Sequence, residues 1–390
     1  ATSNLGGQSN LSGTSYASSD FGNIRMNINA YPSYQFDNYS QSSSGASNDS
    51  LRFGPHAHDS PQRKTAYGPP ATPPRDPCDQ IIGSFSSPGS SISTRGTALS
   101  FVGSAIITIG DWRVMACLGT GASSTVCKAE YLADQTAGAL KVMDKEAIRE
   151  GNIKEAIMRE RDILVECDHP NVVGIKEAFE TEKKVCLVMN LLSGVDLLRL
   201  MINEGAPYHF TEPRAMFYAA QIALALGYLH SKNIVYRDLK PTNVVLDHSG
   251  NAVLVDLGMA EKLPPGGQSD VQFGTPSYRA PESLRGQKYG CEIDWWSFGV
   301  LLYELVAGRN PLYGLDAEEI LEELAERLTY AGMSPVLKDL ISQLLEMDKS
   351  MRLCNGPKIE SHPFFESMDW EKLRQGEVPP AACKSLILTD

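Results

Sequence analysis

The sequence predicts an α+β protein in which a small β-rich lobe is followed by a larger helical lobe, the two preceded by an arm at residues 1–105 that builds no core. Three observations predict it. The arm is dominated by Ser, Pro, Gly and Asn without helical or strand periodicity; short alternating stretches begin at Trp112; long helical periodicities begin after the break at Ser193-Gly194.

The length of 390 residues would suit two to three domains, but runs such as "QSSSGASNDS", "YGPPATPPRDP" and "SFSSPGSSIST" bury too little apolar surface to offset chain entropy. Residues 1–105 are therefore expected to be disordered, 106–366 to fold, and 367–390 to form a short tail. In the folded part "WRVMACLG", "STVCKAEYL" and "AGALKVMD" read as strands, "NIKEAIMRERDILVE" as the lobe's helix, and "VVGIKEAF" and "KVCLVMN" as two further strands. The helical part opens with "TEPRAMFYAAQIALALGYLH", where Thr211 is placed to cap the N-terminus and Pro213 sits in the first turn. It continues through "EIDWWSFGVLLYELVAG", "AEEILEELAERL" and "PVLKDLISQLLEMD" to a last short helix at "HPFFESM". A β-rich lobe joined to a helical lobe implies a cleft between them.

Charge and cysteine usage narrow the functional classes. Acidic and basic residues balance over the first hundred positions, so the net charge of −12 belongs to the rest of the chain. That argues against nucleic acid or an anionic membrane as partner. The 8 cysteines form no CxxC pair, and several lie in apolar runs, which reads as reduced core thiols of a cytoplasmic or nuclear protein. No 18-residue apolar span and no signal-peptide core occur.

Four stretches carry chemistry. "LGTGASSTV" fits a hairpin turn in which Gly119 and Gly121 let backbone amides approach phosphates, or a turn of no function; Ser124 stands where a third glycine would complete G-x-G-x-x-G. Lys141 on a strand and Glu160 on the small lobe's helix are either solvated surface residues or a pair that holds an ammonium against phosphate oxygens. "VYRDLKPTNVVLD" packs Arg237, Asp238, Lys240 and Asn243 between an apolar helix and a β-type segment, and Pro241 stops a helix, so these side chains sit on a structured loop. "LVDLGMA" runs a buried strand into Asp256, at a tight turn with Gly258.

Together these residues resemble the protein kinases from about Trp112 to Phe365, and the resemblance implies their two-lobed fold. It implies that Asp238 accepts the substrate hydroxyl proton, that Lys240 contacts the γ-phosphate, that Lys141 pairs with Glu160, and that Asn243 and Asp256 ligate Mg2+ bridging the phosphates of ATP. An apolar stack of Leu164, Ile175, Tyr236 and Leu257 follows from the same mapping, with Leu257 in place of phenylalanine. The ATP site maps to Gly119 and Gly121 over the phosphates and, for the adenine slot, to Leu118, Val126, Ala139, Met189, the hinge from Asn190 to Leu192, and Val245, with Asp196 at the ribose. In "FGTPSYRAPE", Thr275 implies Ser/Thr rather than Tyr acceptors; Glu282 is expected to pair with Arg352, and Asp294 to brace the catalytic loop.

"YRDLKP", "GTPSYRAPE" and "DWWSFGVLLYELVAG" look most like the AGC group, the cyclic-nucleotide-dependent and related kinases. Asp196 and Glu304 match positions that face arginines in basophilic members, which implies protein substrates with a mild preference for basic residues. Two features depart from that group. The activation-loop phosphosite falls on Val271, leaving Ser269 as an alternative phosphosite or Asp270 as a phosphate substitute for Arg237, and no Phe-rich motif follows "DWEKLRQGEVPPA". The functional expectation is a Ser/Thr protein kinase using ATP and Mg2+, with an inactive pseudokinase scaffold as the alternative. A small-molecule phosphotransferase is disfavoured by "GTPSYRAPE". The oligomeric state is not legible.

Overall fold

The computed structural model describes residues 107–378 except 122 and 204–207, the side chain of Ala325 also excepted, together with the two-residue strands Ile24–Arg25 and Pro32–Ser33. The expected disorder of residues 1–105 lies outside the described residues, those four positions apart, as does the second half of the tail, residues 379–390.

The small lobe is a sheet whose six main strands are antiparallel, with Ile24–Arg25 added antiparallel to Ile175–Glu180 and Pro32–Ser33 parallel to Lys184–Leu191. Its strands are β1 (Thr108–Ile109), β2 (Trp112–Thr120), β3 (Ser124–Tyr131), β4 (Ala137–Asp144), β5 (Ile175–Glu180) and β6 (Lys184–Leu191), in the spatial order β1-β2-β3-β4-β6-β5. Between β4 and β5 lie α1 (Lys145–Glu150), capped by the Asp144 carboxylate on the Glu146 amide, and α2 (Lys154–Glu166). Val126 pairs with Lys141 and Ala139 with Met189, which puts these four side chains on one face of the sheet. The strand read from Val172 starts only at Ile175, because the Val173 amide bonds the Leu254 carbonyl of the large lobe (2.9 Å) and ties the lobes together.

The large lobe is built around two helices that are apolar on all sides and therefore buried. In order, its elements are α3 (Leu197–Asn203), α4 (Glu212–Ser231), β7 (Ile234–Val235), β8 (Val244–Leu246), β9 (Ala252–Leu254), β10 (Glu261–Lys262), α5 (Pro281–Leu284), α6 (Glu292–Ala307), α7 (Ala317–Arg327), α8 (Pro335–Leu344), α9 (Gly356–Glu360) and α10 (Trp370–Arg374). The central pair is α4 and α6. Thr211 is the N-cap residue of α4, but its side chain makes no cap hydrogen bond. Glu212 instead accepts from the amide (2.5 Å) and hydroxyl (2.7 Å) of Ser334, itself the N-cap of α8, so one carboxylate joins two helix starts. "HPFFESM" forms only a 3-10 turn at Pro363–Phe365, and α10 follows it, so the last helix lies later than expected. No helix among the described residues is long and apolar enough to cross a membrane.

Candidate active site

The site forms where the hairpin β8–β9 presents its open end beneath β4. Val244 pairs with Leu254, so the residues just outside the ladder, Asn243 and Val255, face each other, and the Val255 amide bonds the Asn243 carbonyl (3.0 Å). Asp256 follows immediately. It adopts φ of 52° and Arg237 φ of 69°, a left-handed backbone that costs a non-glycine residue of order 1–3 kcal/mol unless its surroundings impose it. The imposing contacts are present. Asp294 of α6, fully buried, accepts from the Tyr236 amide (2.8 Å), the Arg237 amide (2.8 Å) and His230 Nε2 (2.8 Å), holding the loop from below. The Tyr236 hydroxyl donates to the Val255 carbonyl. Gly274 closes the loop from outside: its φ is 86°, and a Cβ there would lie 2.2 Å from the Arg237 carbonyl oxygen.

Within this frame the charged residues converge. Lys141 Nζ donates to Glu160 Oε1 (2.6 Å) and Oε2 (2.9 Å) and reaches Asp256 Oδ1 (3.4 Å). Burial disfavours the ammonium, but the Glu160 and Asp256 carboxylates outweigh it and hold the Lys141 pKa above the ordinary lysine range. Across the site, Asp238 Oδ1 accepts from the Thr275 hydroxyl (3.0 Å) and amide (3.1 Å), and Oδ2 accepts from Asn243 Nδ2 (2.9 Å) and lies 3.2 Å from Lys240 Nζ. Burial raises the Asp238 pKa above that of an ordinary aspartate; Lys240 pulls against this and Asp256 adds to it. Lys240 also donates to the Thr275 hydroxyl (3.0 Å).

Asn243 spends its Nδ2 on the Asp238 carboxylate and carbonyl, while its Oδ1 is buried without a partner among the described residues. A buried carbonyl oxygen left unpaired costs free energy unless a ligand satisfies it. With the Asp256 carboxylate beside it in the fold, this is a hard-oxygen donor set of the kind magnesium takes. Above it, Val126, Ala139, Met189, Leu192 and Val245 are buried in one cluster with Leu118 packed against it, and the Asp196–Val245 bridge sets Asp196 at its edge. Leu164, Ile175, Tyr236 and Leu257 are all buried behind the site in the same cluster. Gly119 and Gly121 lie at the β2–β3 turn, where the Gly121 amide bonds the Ser124 carbonyl (2.7 Å).

With that geometry in place, the sequence matches the family described as protein kinase domain over residues 112–365. This chain belongs to the protein kinase family. Among curated proteins it is similar to a RAC family serine/threonine-protein kinase homolog of Dictyostelium discoideum, 37% identical over 276 residues, 70% of this chain and 62% of that protein. It is similar also to serine/threonine-protein kinase Sgk1 of Danio rerio, 36% identical over 277 residues, 69% of this chain and 63% of the relative. The match to serine/threonine-protein kinase sgk-1 of Caenorhabditis elegans is 37% over 279 residues, 70% and 59%. The chain thus spans less than two thirds of the length of these relatives. They agree with the AGC-group resemblance of the sequence.

The remaining expected residues of this kinase domain fall in three places. Glu282 and Arg352 form a bidentate pair (2.6 and 2.8 Å) in the core of the large lobe, with the guanidinium also 5.1 Å over the Trp296 ring. Asp196 caps α3 by accepting from the Arg199 amide (2.8 Å), and burial raises its pKa. Glu304 is buried on α6 and accepts from the Tyr278 hydroxyl; burial pushes its carboxyl up to about 7 against that hydrogen bond. Of the regulatory candidates, Ser269 is buried and paired through both backbone groups with Tyr289 (2.8 and 2.8 Å), and Asp270 is exposed. Arg237 is paired with Glu261. Sequence reasoning missed Glu261 and Tyr289, which stand in no motif, and Tyr278, which lies within "FGTPSYRAPE" without a role assigned to it.

Proposed function

We propose that this chain is a serine/threonine protein kinase that transfers the γ-phosphate of Mg-ATP to Ser/Thr hydroxyls of protein substrates. The observation that carries the reading is the convergence of the Lys141–Glu160 pair, Asp256, Asp238 and an Asn243 whose Oδ1 is buried and unpartnered. Phosphoryl transfer asks for cations around three anionic phosphates, an in-line hydroxyl and an acceptor for its proton; positioning and charge stabilisation supply most of the rate. Asp238 is the acceptor, its carboxylate steered by Thr275, Asn243 and Lys240. Lys240 and Lys141 supply fixed positive charge to the phosphates, and Glu160 stops the Lys141 side chain from swinging away. Asn243 and Asp256 would hold magnesium, which when bound neutralises charge on the phosphates. Leu118, Val126, Ala139, Met189, Asn190, Leu192 and Val245 line the adenine side, Gly119 and Gly121 let the turn cover the phosphates, and Asp196 takes the ribose.

Thr275, on the base itself, supports Ser/Thr acceptors, as do the names of the relatives. The acidic net charge of −12 supports protein substrates, mildly basophilic through Asp196 and Glu304, over nucleic acid. Buried thiols at Cys167 and Cys186, which form no disulfide, support a cytoplasmic or nuclear setting. Nothing in the site favours the inactive scaffold, since every group the transfer needs is present.

The test is transfer of labelled γ-phosphate from Mg-ATP to a Ser/Thr peptide library by the full chain and by Asp238→Asn. Removing the base should lower transfer by about 10²–10⁴-fold. Equal transfer by the two proteins, or label on tyrosine alone, would overturn the reading.

A further inference from the structure

Arg237 precedes the catalytic Asp238, and its buried guanidinium is held at Nε and Nη1, while Nη2 has no hydrogen-bond partner among the described residues. Nε donates to the Met259 carbonyl (2.6 Å), Nη1 to Glu261 Oε2 (2.5 Å) and, at 3.3 Å, to the Tyr289 hydroxyl, and the Phe273 ring lies 4.8 Å from Cζ. Tyr289 passes the contact on, its hydroxyl donating to the Val271 carbonyl (2.5 Å). One side chain thereby gathers Met259, Glu261, Val271 and Phe273, both ends of the segment between Asp256 and Thr275. Glu261 itself is fixed by β10, where it pairs with Val235 just before the catalytic loop. Its neighbour Lys262 points the other way and binds Glu166 (2.5 Å), the last residue of α2, the helix that carries Glu160.

We propose that Glu261 is a positioning residue for the transfer reaction, a built-in carboxylate that holds Arg237, and with it Asp238 and the segment to Thr275, in the competent arrangement without a phosphate on that segment. The inference rests on the kinase reading. It replaces both regulatory expectations from the sequence. Ser269 is buried and paired through its backbone to Tyr289, and its hydroxyl accepts from the Val271 amide (3.4 Å), so a phosphate there would have to break the segment open. A phosphate brought to Arg237 would also stand against the Glu261 carboxylate, and like charges repel. Asp270 is exposed and has no ion pair among the described residues.

The experiment uses the full chain, dephosphorylated with a phosphatase and verified by mass spectrometry, beside the untreated chain and the variants Glu261→Gln, Glu261→Asp and Asp270→Ala. Peptide transfer gives kcat and the KM for ATP; hydrogen exchange reads the backbone from Asp256 to Thr275. Dephosphorylation and Asp270→Ala should leave the rate unchanged. Glu261→Gln should lower kcat by about ten- to a hundredfold, the scale of a misplaced reacting group, with KM for ATP unchanged and faster exchange confined to the segment. Glu261→Asp, which keeps the charge, should recover part of kcat. A rate that collapses on dephosphorylation, or a Glu261→Gln protein with wild-type kcat and exchange, would overturn the proposal. If the wild-type chain and Asp238→Asn transfer alike, the kinase reading is what falls; the exchange measurement then decides alone, faster exchange in Glu261→Gln upholding the clamp and unchanged exchange refuting it.

Discussion

Two buried ion pairs of the same chemistry, one in each lobe, have different surroundings. Glu282 and Arg352 meet in two hydrogen bonds inside the helical lobe, closed over by Trp296, with the guanidinium wholly buried. Lys141 and Glu160 meet as closely, but beside the cleft, where Asp256 adds a second carboxylate to the lysine. The first pair is completed by the Glu346 carbonyl, which accepts from Arg352 Nε (3.0 Å), and it serves to fix the fold. The second is left with an excess of negative charge, which suits a place where cations and phosphates arrive.

The sharpest way to break that comparison is to remove one cation from each pair. Arg352→Ala strands a carboxylate in a closed core and should cost about 3–5 kcal/mol, a large share of the stability of a domain. Lys141→Met should behave differently. Burial already pushes the Glu160 carboxyl up against the pull of Lys141, so without the lysine the group takes a proton instead of remaining a stranded charge. Thermal unfolding should therefore shift far more for Arg352→Ala, while peptide transfer by the still folded Lys141→Met protein falls by about a hundredfold or more. Equal loss of stability in the two variants would remove the distinction.

A second prediction concerns Asp238, the proposed base. Burial holds the Asp238 pKa up, and Lys240 is the group that lowers it. The carboxylate must be ionised to accept a proton, so kcat should fall on the acid side at a pH above that of a free aspartate. Lys240→Met should move that limb to still higher pH, in addition to lowering the plateau. A pH–rate profile whose acid limb does not move would separate Lys240 from the base and leave it a phosphate contact alone.

How much of this was legible in the sequence differs between the lobes for a physical reason. Lys141 and Met189 could be placed at the cleft through the kinase resemblance and not through alternation, because "AGALKVMD" and "KVCLVMN" are buried on both faces and carry no period of two. The residues of the loop "YRDLKPTN" could be named for the same reason that they work, since polar groups crowded between apolar elements have few other uses. The partner of Arg237 could not be named. Glu261 is brought to it by the β7–β10 pairing, only two residues long on each strand, and nothing in so short a stretch signals a strand. Helices such as Pro281–Leu284 and Gly356–Glu360 escaped likewise, being shorter than the two turns over which helical periodicity can be read. The sign of a backbone φ was equally hidden, though the left-handed Asp256 and Arg237 decide where their side chains aim.

The smallest expected effect sharpens the comparison with a third carboxylate, one buried without any cation. Glu304 has only the Tyr278 hydroxyl, and burial raises its pKa from 4.5 to about 7. A carboxyl that binds its proton more tightly when folded stabilises the protein at low pH. Its contribution is full below the unfolded value near 4.5 and is lost as pH rises toward about 7, above which the folded state carries the cost of the buried charge. Glu304→Gln, which keeps the hydrogen bond and drops the charge, should therefore be more stable than the wild type at pH 8 by up to about 3 kcal/mol, with the advantage shrinking toward pH 5. The same variant tests substrate choice. If a basic residue of the substrate is what Glu304 awaits, the peptide library should lose its preference for arginine upstream of the acceptor as the protein gains stability, the exchange expected of a charge held in the fold for a ligand. A stability gain with the preference intact would make Glu304 a buried cost with no recognition role and leave basic selection to Asp196.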